Sequence, residues 1–512
     1  MTEDKRREEA KRETLTFRDY YDVNPPFGYA GIAIDMQTNK LTYLTLEPTL
    51  SGEEEGNLEQ LKKHIVDSLD VSLEMLKDER RMEAYLREQM NRTFKKLKRR
   101  VEKEAEEKYL YYLKRDFLGY GRIDILMRDP NIEDISCNGL KTPIYIWHRT
   151  HESLPSNISY NSQGELSAIV TRFAYKSGRQ ISVARPILEG TLPEGYRVHL
   201  TLDEISKRGA TFTIRKFRAA PYTFVDLIRF NTISPAIAAY LWVLVDNQRS
   251  IMVSGTTASG KTTVLNSICM FVKPEMKVVT IEEVRELRLH ENWIPMVPRS
   301  SYQPGVDEVT LFDLLKSALR QRPDYIIVGE VRGEEAYTLF QSIATGHGGL
   351  CTIHSDTVET AMKRLTTRPM DIPPIMLPLM NIIVQIRRIR IGSSIARRIT
   401  SITEIIDVSP SGEVQTQDRF IWDPKTDRYQ YKVPVGDAND VFSQISKVRN
   451  ISFEQLIAEM ERRETVIKWM VSNEMKSYEE AASVVRNYYL NPEEVYNTAR
   501  LERQDERDHE RV

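Results

Sequence analysis

The sequence predicts an α/β fold in two parts: a mainly parallel sheet in the second half of the chain, behind a smaller α+β domain. Three observations carry that prediction. Ile251-Met252-Val253 has the apolar, β-branched character of a short buried strand, and it runs straight into the glycine-bracketed stretch Gly255 to Thr263. After that stretch, strand and helix patterns alternate, as parallel strands joined by helical crossovers require. Before it, Gly119 to Phe217 mixes short strand patterns with turns, which is the texture of an α+β domain with a modest sheet.

Taken in order, residues 1–20 are dense in mixed charge and read as a mobile arm. Tyr29 to Ile34 and Leu41 to Leu46 flank a turn-rich Asp35 to Lys40 and form a hairpin pattern. Leu58 to Phe117 contains no Gly or Pro, and apolar residues recur at helical spacing (Met82, Leu86, Met90, Phe94, Leu97, Val101, Ala105, Tyr109, Leu113), which predicts one or two long amphipathic helices. The basic run Lys95 to Arg100 reads as a solvated helix face, since Glu102 and Glu104 follow at once. Ile132 to Cys137 leads through Asn138-Gly139 to Pro143 to Trp147, a second hairpin pattern. Strand-like pieces follow at Arg179 to Val183 and Thr211 to Phe217, and Arg218 to Phe224 is the linker candidate. The expected organisation is therefore an arm at 1–20, an N-terminal domain at 21–217, a linker at 218–224 and a second domain with a helical tail at 225–512.

Gly255-Thr256-Thr257-Ala258-Ser259-Gly260-Lys261-Thr262 has the GxxxxGK[ST] spacing, and Thr263 continues it into a predicted helix. The glycines let successive N–H groups point inward at phosphate oxygens. Lys261 supplies a flexible positive charge, Thr262 a hydroxyl for Mg²⁺, and the helix a positive dipole end. This predicts a nucleoside-triphosphate site. Lys277 to Ile281 reads as a strand ending on Glu282 and Glu283, and Tyr325 to Gly329 as one ending on Glu330. Ligands of open α/β sheets sit at such carboxyl ends. Glu330 is placed to hold Mg²⁺, with Thr262 and Glu283 as the other candidates, and Glu282 or Glu283 to activate water; strand-end surface carboxylates are the plainer alternative. Thr310 with Asp313 is expected to cap a helix that Pro323 stops. Ser355 or Asp356 is expected to cap the helix after the strand Leu350 to His354.

His347 and His354 flank that strand, with phosphate sensing and ordinary structural roles both open; Cys351 is expected to face away from His354, against a shared metal. Arg320, Arg322 and Arg332 lie close to the Glu330 strand in sequence.

Composition narrows the classes. Lysine and arginine (72) nearly balance aspartate and glutamate (74), so nothing demands nucleic acid as an obligate partner. Cys137, Cys269 and Cys351 are too scattered for a disulfide frame or a CxxC zinc site, consistent with a reducing cytoplasmic setting. The charged N-terminus lacks the apolar core of a signal peptide, and no run approaches the ~20 apolar residues of a membrane span. Any membrane contact is expected through a partner.

Four blocks, GTTASGKTT, VTIEEVREL, LRQRPDYIIVGEVRGEEA and ATGHGGLCTIHSD, resemble in order the Walker A, Asp box, Walker B and His box of the secretion ATPase superfamily, which includes type II and type IV secretion, type IV pilus and archaellum motors. The resemblance covers roughly Leu118 to Asp407. It implies a RecA-like C-terminal domain, a flexible linker, a homo-hexamer hydrolysing ATP with Mg²⁺, and a polytopic membrane platform protein with accessory motor proteins as partners. Glu282 and Glu283 would fill the Asp-box role, Glu330 the Mg²⁺ role, and His347 and His354 the His box. Arg197 and Arg215 match N-terminal-domain arginines that can reach nucleotide. The Asp box departs from the usual Glu-Asp, and three cysteines cannot build the four-cysteine zinc module of bacterial relatives. The stretch Tyr29 to Pro48 ahead of long helices is similar to the archaeal branch, with archaellum motors the nearest resemblance and archaeal pilus or secretion ATPases the alternative. The implied place is the cytoplasm, at the inner face of the cell membrane. A nucleic-acid translocase and a nucleotide-gated scaffold are the remaining rival classes.

Overall fold

A computed structural model describes residues 15–36, 39–67, 79–96, 101–218, 220–299, 307–392, 394–432 and 440–509. The chain divides into two compact units, Met1–Arg218 and Ala219–Val512. Residues 1–14 of the expected arm and Leu97 to Arg100 of the basic run lie outside the described residues. Residues 15–20 of that arm correct the expectation: they belong to a strand.

The first unit contains β1 (Leu15–Asn24), β2 (Gly28–Asp35), β3 (Lys40–Leu46), β4 (Ile132–Cys137), β5 (Pro143–His148), β6 (Glu152–Ser159), β7 (Ile187–Thr191), β8 (Arg197–Thr201) and β9 (Thr211–Arg215). They form one nine-stranded sheet in the order β1-β2-β3-β6-β5-β4-β9-β8-β7. Pairing is antiparallel except where β3 meets β6. β1 holds its place through its ladder with β2, running from Leu15↔Asp35 to Asn24↔Gly28. The segment expected as one or two long helices is three among the described residues: Gly52–Asp67, Glu79–Lys96 and Lys103–Leu113, the last running into a π-helical turn at Lys114–Leu118. Met82, Leu86, Met90, Phe94, Tyr109 and Leu113 of the predicted stripe are all buried, as a helix that hides one face requires. Arg179 to Val183 forms no strand, only a single bridge between Ser182 and Arg185.

The second unit contains β10 (Ile251–Gly255), β11 (Val278–Ile281), β12 (Trp293–Met296), β13 (Tyr325–Val328), β14 (Gly348–His354), β15 (Ile382–Ile391), β16 (Ser394–Val408), β17 (Val414–Asp423) and β18 (Arg428–Tyr431). Their order is β12-β11-β13-β14-β10-β15-β16-β17-β18. The run from β12 to β15 is parallel, and β15 to β18 continue as an antiparallel meander. Every residue of β10, β11 and β13 is buried, because helices cover both faces of a parallel sheet. The cap at Thr310 is a full capping box with Asp313, as predicted. Thr357 caps the helix Val358–Thr366, in place of the expected Ser355 or Asp356. Four helices close the chain, Val441–Arg449, Phe453–Ser472, Tyr478–Leu490 and Pro492–His509, and their apolar faces join the same core as β10 and the helix Lys261–Cys269. Among the described residues no helix is long and apolar enough to cross a membrane.

Candidate functional site

The site forms where parallel strands end. β10 delivers Gly255, which sits in register with His354 at the end of β14 on one side and Ile386 of β15 on the other. The backbone then winds through Thr256, Thr257, Ala258 and Ser259 to Gly260 and into the helix Lys261–Cys269. Ala258 and Gly260 have φ of +58° and +98°, left-handed values between which the chain turns its amides to one side. A side chain at Gly260 would be strained by that backbone and would press on Arg397, whose Cδ lies 3.3 Å from where a Cβ would stand. Ser259 is fully buried and its Oγ makes no hydrogen bond. Lys261 Nζ donates to Thr256 O at 3.2 Å, folding the ammonium back over the loop, and Thr262 and Thr263 follow in the first helical turn.

Two strands beyond, β11 and β13 end side by side with Ile281 opposite Val328. The next residues are Glu282 beside Gly329, where an added Cβ would come within 3.2 Å of Glu282 Cγ and crowd that buried side chain. Glu282 Oε1 accepts hydrogen bonds from the amides of Glu286 (3.0 Å) and Leu287 (3.1 Å). Burial pushes its carboxyl up to about 7, against the pull of those two bonds. Glu282 therefore organises the loop behind it, whereas Glu283 faces outward. Arg332 bridges the remaining acids, 3.2 Å from Glu283 and 2.8 Å from Glu330. Burial alone would raise the Glu330 carboxyl, but the hydrogen bond and charge of Arg332, with Lys261 and His354 nearby, hold it below its ordinary value. His354 is pushed down, first by burial and then by Lys261, with Glu330 opposing. Lys261, Glu330, Arg332 and His354 thus form one electrostatic group at the loop.

Other candidates stand elsewhere. His347 precedes β14, and its Nδ1 donates to Pro323 O at 2.7 Å, at the end of the sheet opposite the loop after β10. Arg320 ends the helix Leu311–Leu319 and Arg322 follows it before β13 begins, so of the three arginines near that strand in sequence only Arg332 reaches the acids. Cys351 points into the core and burial pushes its thiol up, away from His354. In the first unit, Arg197 of β8 and Arg215 of β9 are register partners, and Arg215 is paired in turn with Asp134 of β4. Arg397 is the residue that sequence reasoning missed: its Nε lies 3.4 Å from Ala258 O of the loop. No local signal marks it, because it arrives on the β15–β16 hairpin, 139 residues downstream.

Strand, left-handed loop, helix and flanking strand-end acids thus meet at one end of a parallel sheet in an α/β protein. Residues 123–435 match the type II/IV secretion system protein family, and the chain belongs to that family. It is 35% identical over 396 residues to the uncharacterized protein MJ0900 of Methanocaldococcus jannaschii, spanning 76% of this chain and 71% of that protein. It is 31% identical over 272 residues to the type IV secretion system protein PtlH of Bordetella pertussis, spanning 46% of this chain and 80% of PtlH. Among solved structures, the VirB11 ATPase of the Brucella suis type IV secretion system, in complex with sulphate, is similar at 26% identity and TM-score 0.28, over 54% of this chain and 90% of that one.

Proposed function

We propose that the chain is an Mg²⁺-dependent ATPase subunit of a homo-hexameric motor that drives assembly or rotation of an archaellum through a membrane platform protein. The observation supporting hydrolysis is the convergence of a left-handed, glycine-turned loop, Lys261 and two partly exposed carboxylates at one end of a parallel sheet. The amides from Gly255 to Thr263 would wrap the phosphates, with Lys261 on the outer ones. Thr262 and Glu330 would hold Mg²⁺, which when bound neutralises phosphate charge; Glu283, the other candidate ligand, is needed for the water. Glu283 is the stronger choice for the base, because Glu282 is committed to the amides of Glu286 and Leu287. Water attacks the γ-phosphorus, its proton passes to Glu283, and the bond to the β–γ bridging oxygen breaks to leave ADP and phosphate. His354, beside the loop, is the candidate sensor of the γ-phosphate; His347 lies too far along β14 for that role in its own subunit. Arg197 and Arg215 are proposed as further cations for nucleotide.

The likeness to PtlH favours a second output, secretion, from the same chemistry, with archaeal pilus assembly the related alternative. The hydrolysis reading is tested with the full chain and MgATP: Glu330→Gln should retain ATP and release phosphate at least tenfold more slowly. A normal rate in that variant would place the metal elsewhere. Specific activity should rise on concentration as rings form, followed by light scattering. A host lacking this chain separates the outputs by electron microscopy, as loss of archaella or loss of pili.

A further inference from the structure

The four C-terminal helices lie beyond the family match, which ends at residue 435, yet one of them grips the acid-bearing loop of the site. Tyr478, first residue of the helix Tyr478–Leu490, donates its hydroxyl to Arg288 O at 2.9 Å. The Arg288 guanidinium lies over the Tyr478 ring, 4.7 Å from its centroid, and forms an ion pair with Glu479 at 2.7 Å. The same residue is held from the other side: its amide donates to Asn266 Oδ1, on the helix that begins at Lys261, at 2.9 Å. Just before Arg288 come the two amides that Glu282 accepts, at Glu286 and Leu287. Leu287 and Leu289 are buried in the core that also takes Tyr478, Ala481 and Val485. One short segment thus ties together the phosphate-loop helix, the strand-end acids and the C-terminal helices.

We infer that Arg288 is a positioning residue for hydrolysis, through which the C-terminal helix Tyr478–Leu490 sets the placement of Glu282 and Glu283 at the end of β11. The inference rests on the hydrolysis reading above. Arg288 does not touch the phosphate loop's mouth: its amide and carbonyl hold Asn266 and Tyr478, its guanidinium holds Glu479 and the Tyr478 ring, and its chain neighbours Glu286 and Leu287 carry the amides that Glu282 accepts. Loss of the guanidinium's hold on Glu479 and the Tyr478 ring loosens the segment that carries the Glu286 and Leu287 amides, while leaving Lys261 and the loop intact, so it should lower turnover and spare nucleotide affinity. Misplacement of a catalytic group by an ångström is enough for a large loss of rate.

The full chain is tested as Arg288→Ala, Arg288→Lys and Tyr478→Phe, the last keeping the packed ring and deleting only the hydroxyl. Arg288→Ala should lower kcat by about tenfold, with KM for ATP and the Kd of a fluorescent ATP analogue moved by less than about twofold. Arg288→Lys, which restores charge towards Glu479, should recover part of the rate. Hydrogen exchange at the Glu286 and Leu287 amides should quicken in Arg288→Ala and Tyr478→Phe. Unchanged kcat with unchanged exchange overturns the inference, as does a loss confined to affinity or to Tm. If the unaltered chain releases no phosphate, the hydrolysis reading fails by itself, and the exchange measurement alone decides whether the clamp holds the segment.

Discussion

In the first unit, β7, β8 and β9 bury every second residue: Leu188 and Gly190, Val198 and Leu200, Phe212 and Ile214. In the second, β10, β11 and β13 bury every residue. Both sheets have nine strands, but an antiparallel ladder places residues in rows across neighbouring strands, whereas a parallel one gathers strand ends from distant parts of the chain. The row Asp134, Arg215, Arg197 is the product of the first arrangement. The meeting of Gly255, Glu283, Glu330 and His354 is the product of the second. The parallel sheet can place chemistry on side chains that contribute little packing, because packing is handled by the strands themselves.

The largest expected effect tests that separation. Lys261→Ala should lower phosphate release by ~10³-fold or more and shift Tm hardly at all, since the side chain makes a hydrogen bond to Thr256 O and packs little. A collapse of Tm would show that chemistry and packing are not separated there. The next effect separates the sheets. Ile326→Ala and Ile327→Ala, on opposite faces of β13, should each cost roughly 2–5 kcal/mol. In β9, Ile214→Ala should cost the same while Thr213→Ala, on the exposed face, stays within about 0.5 kcal/mol by denaturant melts. A silent position in β13 would break the comparison.

These contrasts also explain what was legible in the sequence. Alternation in β8 and β9 and the contiguous Gly255–Thr262 motif are local patterns, and so is the capping box at Thr310. β1 was hidden because its mixed charges read as a solvated arm, while its strand depends on partners in β2. His347 and His354 are neighbours in sequence, yet β14 carries them to opposite ends of the sheet, about 20 Å apart at the rise of a strand. Arg332 reaches Glu283 across 49 residues and Arg397 reaches the loop across 139, and no spacing rule anticipates such contacts.

A third effect concerns pH. The folded Glu282 carboxyl sits at about 7 against an ordinary 4.5, so its burial favours the protonated form. That raised value adds no penalty below the unfolded range and lowers stability progressively as pH climbs from 4.5 through 7. Glu282→Gln keeps an oxygen for both amides and should gain on the unaltered chain by on the order of 3 kcal/mol between pH 4 and pH 8. An equal difference at both ends, measured by thermal melts, would remove Glu282 from the pH dependence. The smallest effect falls on Arg397→Ala, which should weaken ATP by about tenfold without changing Tm, because this exposed side chain meets the loop at the Ala258 carbonyl. Undiminished affinity would leave Arg397 as a surface residue of the hairpin.

Arg332, held between Glu283 and Glu330, gives the resting site its own counter-ion. A divalent cation arriving alone meets two carboxylates whose charge is already half offset by a tethered guanidinium. It has little to gain until a polyphosphate brings fresh negative charge. The expected order of arrival is therefore nucleotide and metal together, with Arg332 displaced as they enter and returning as they leave.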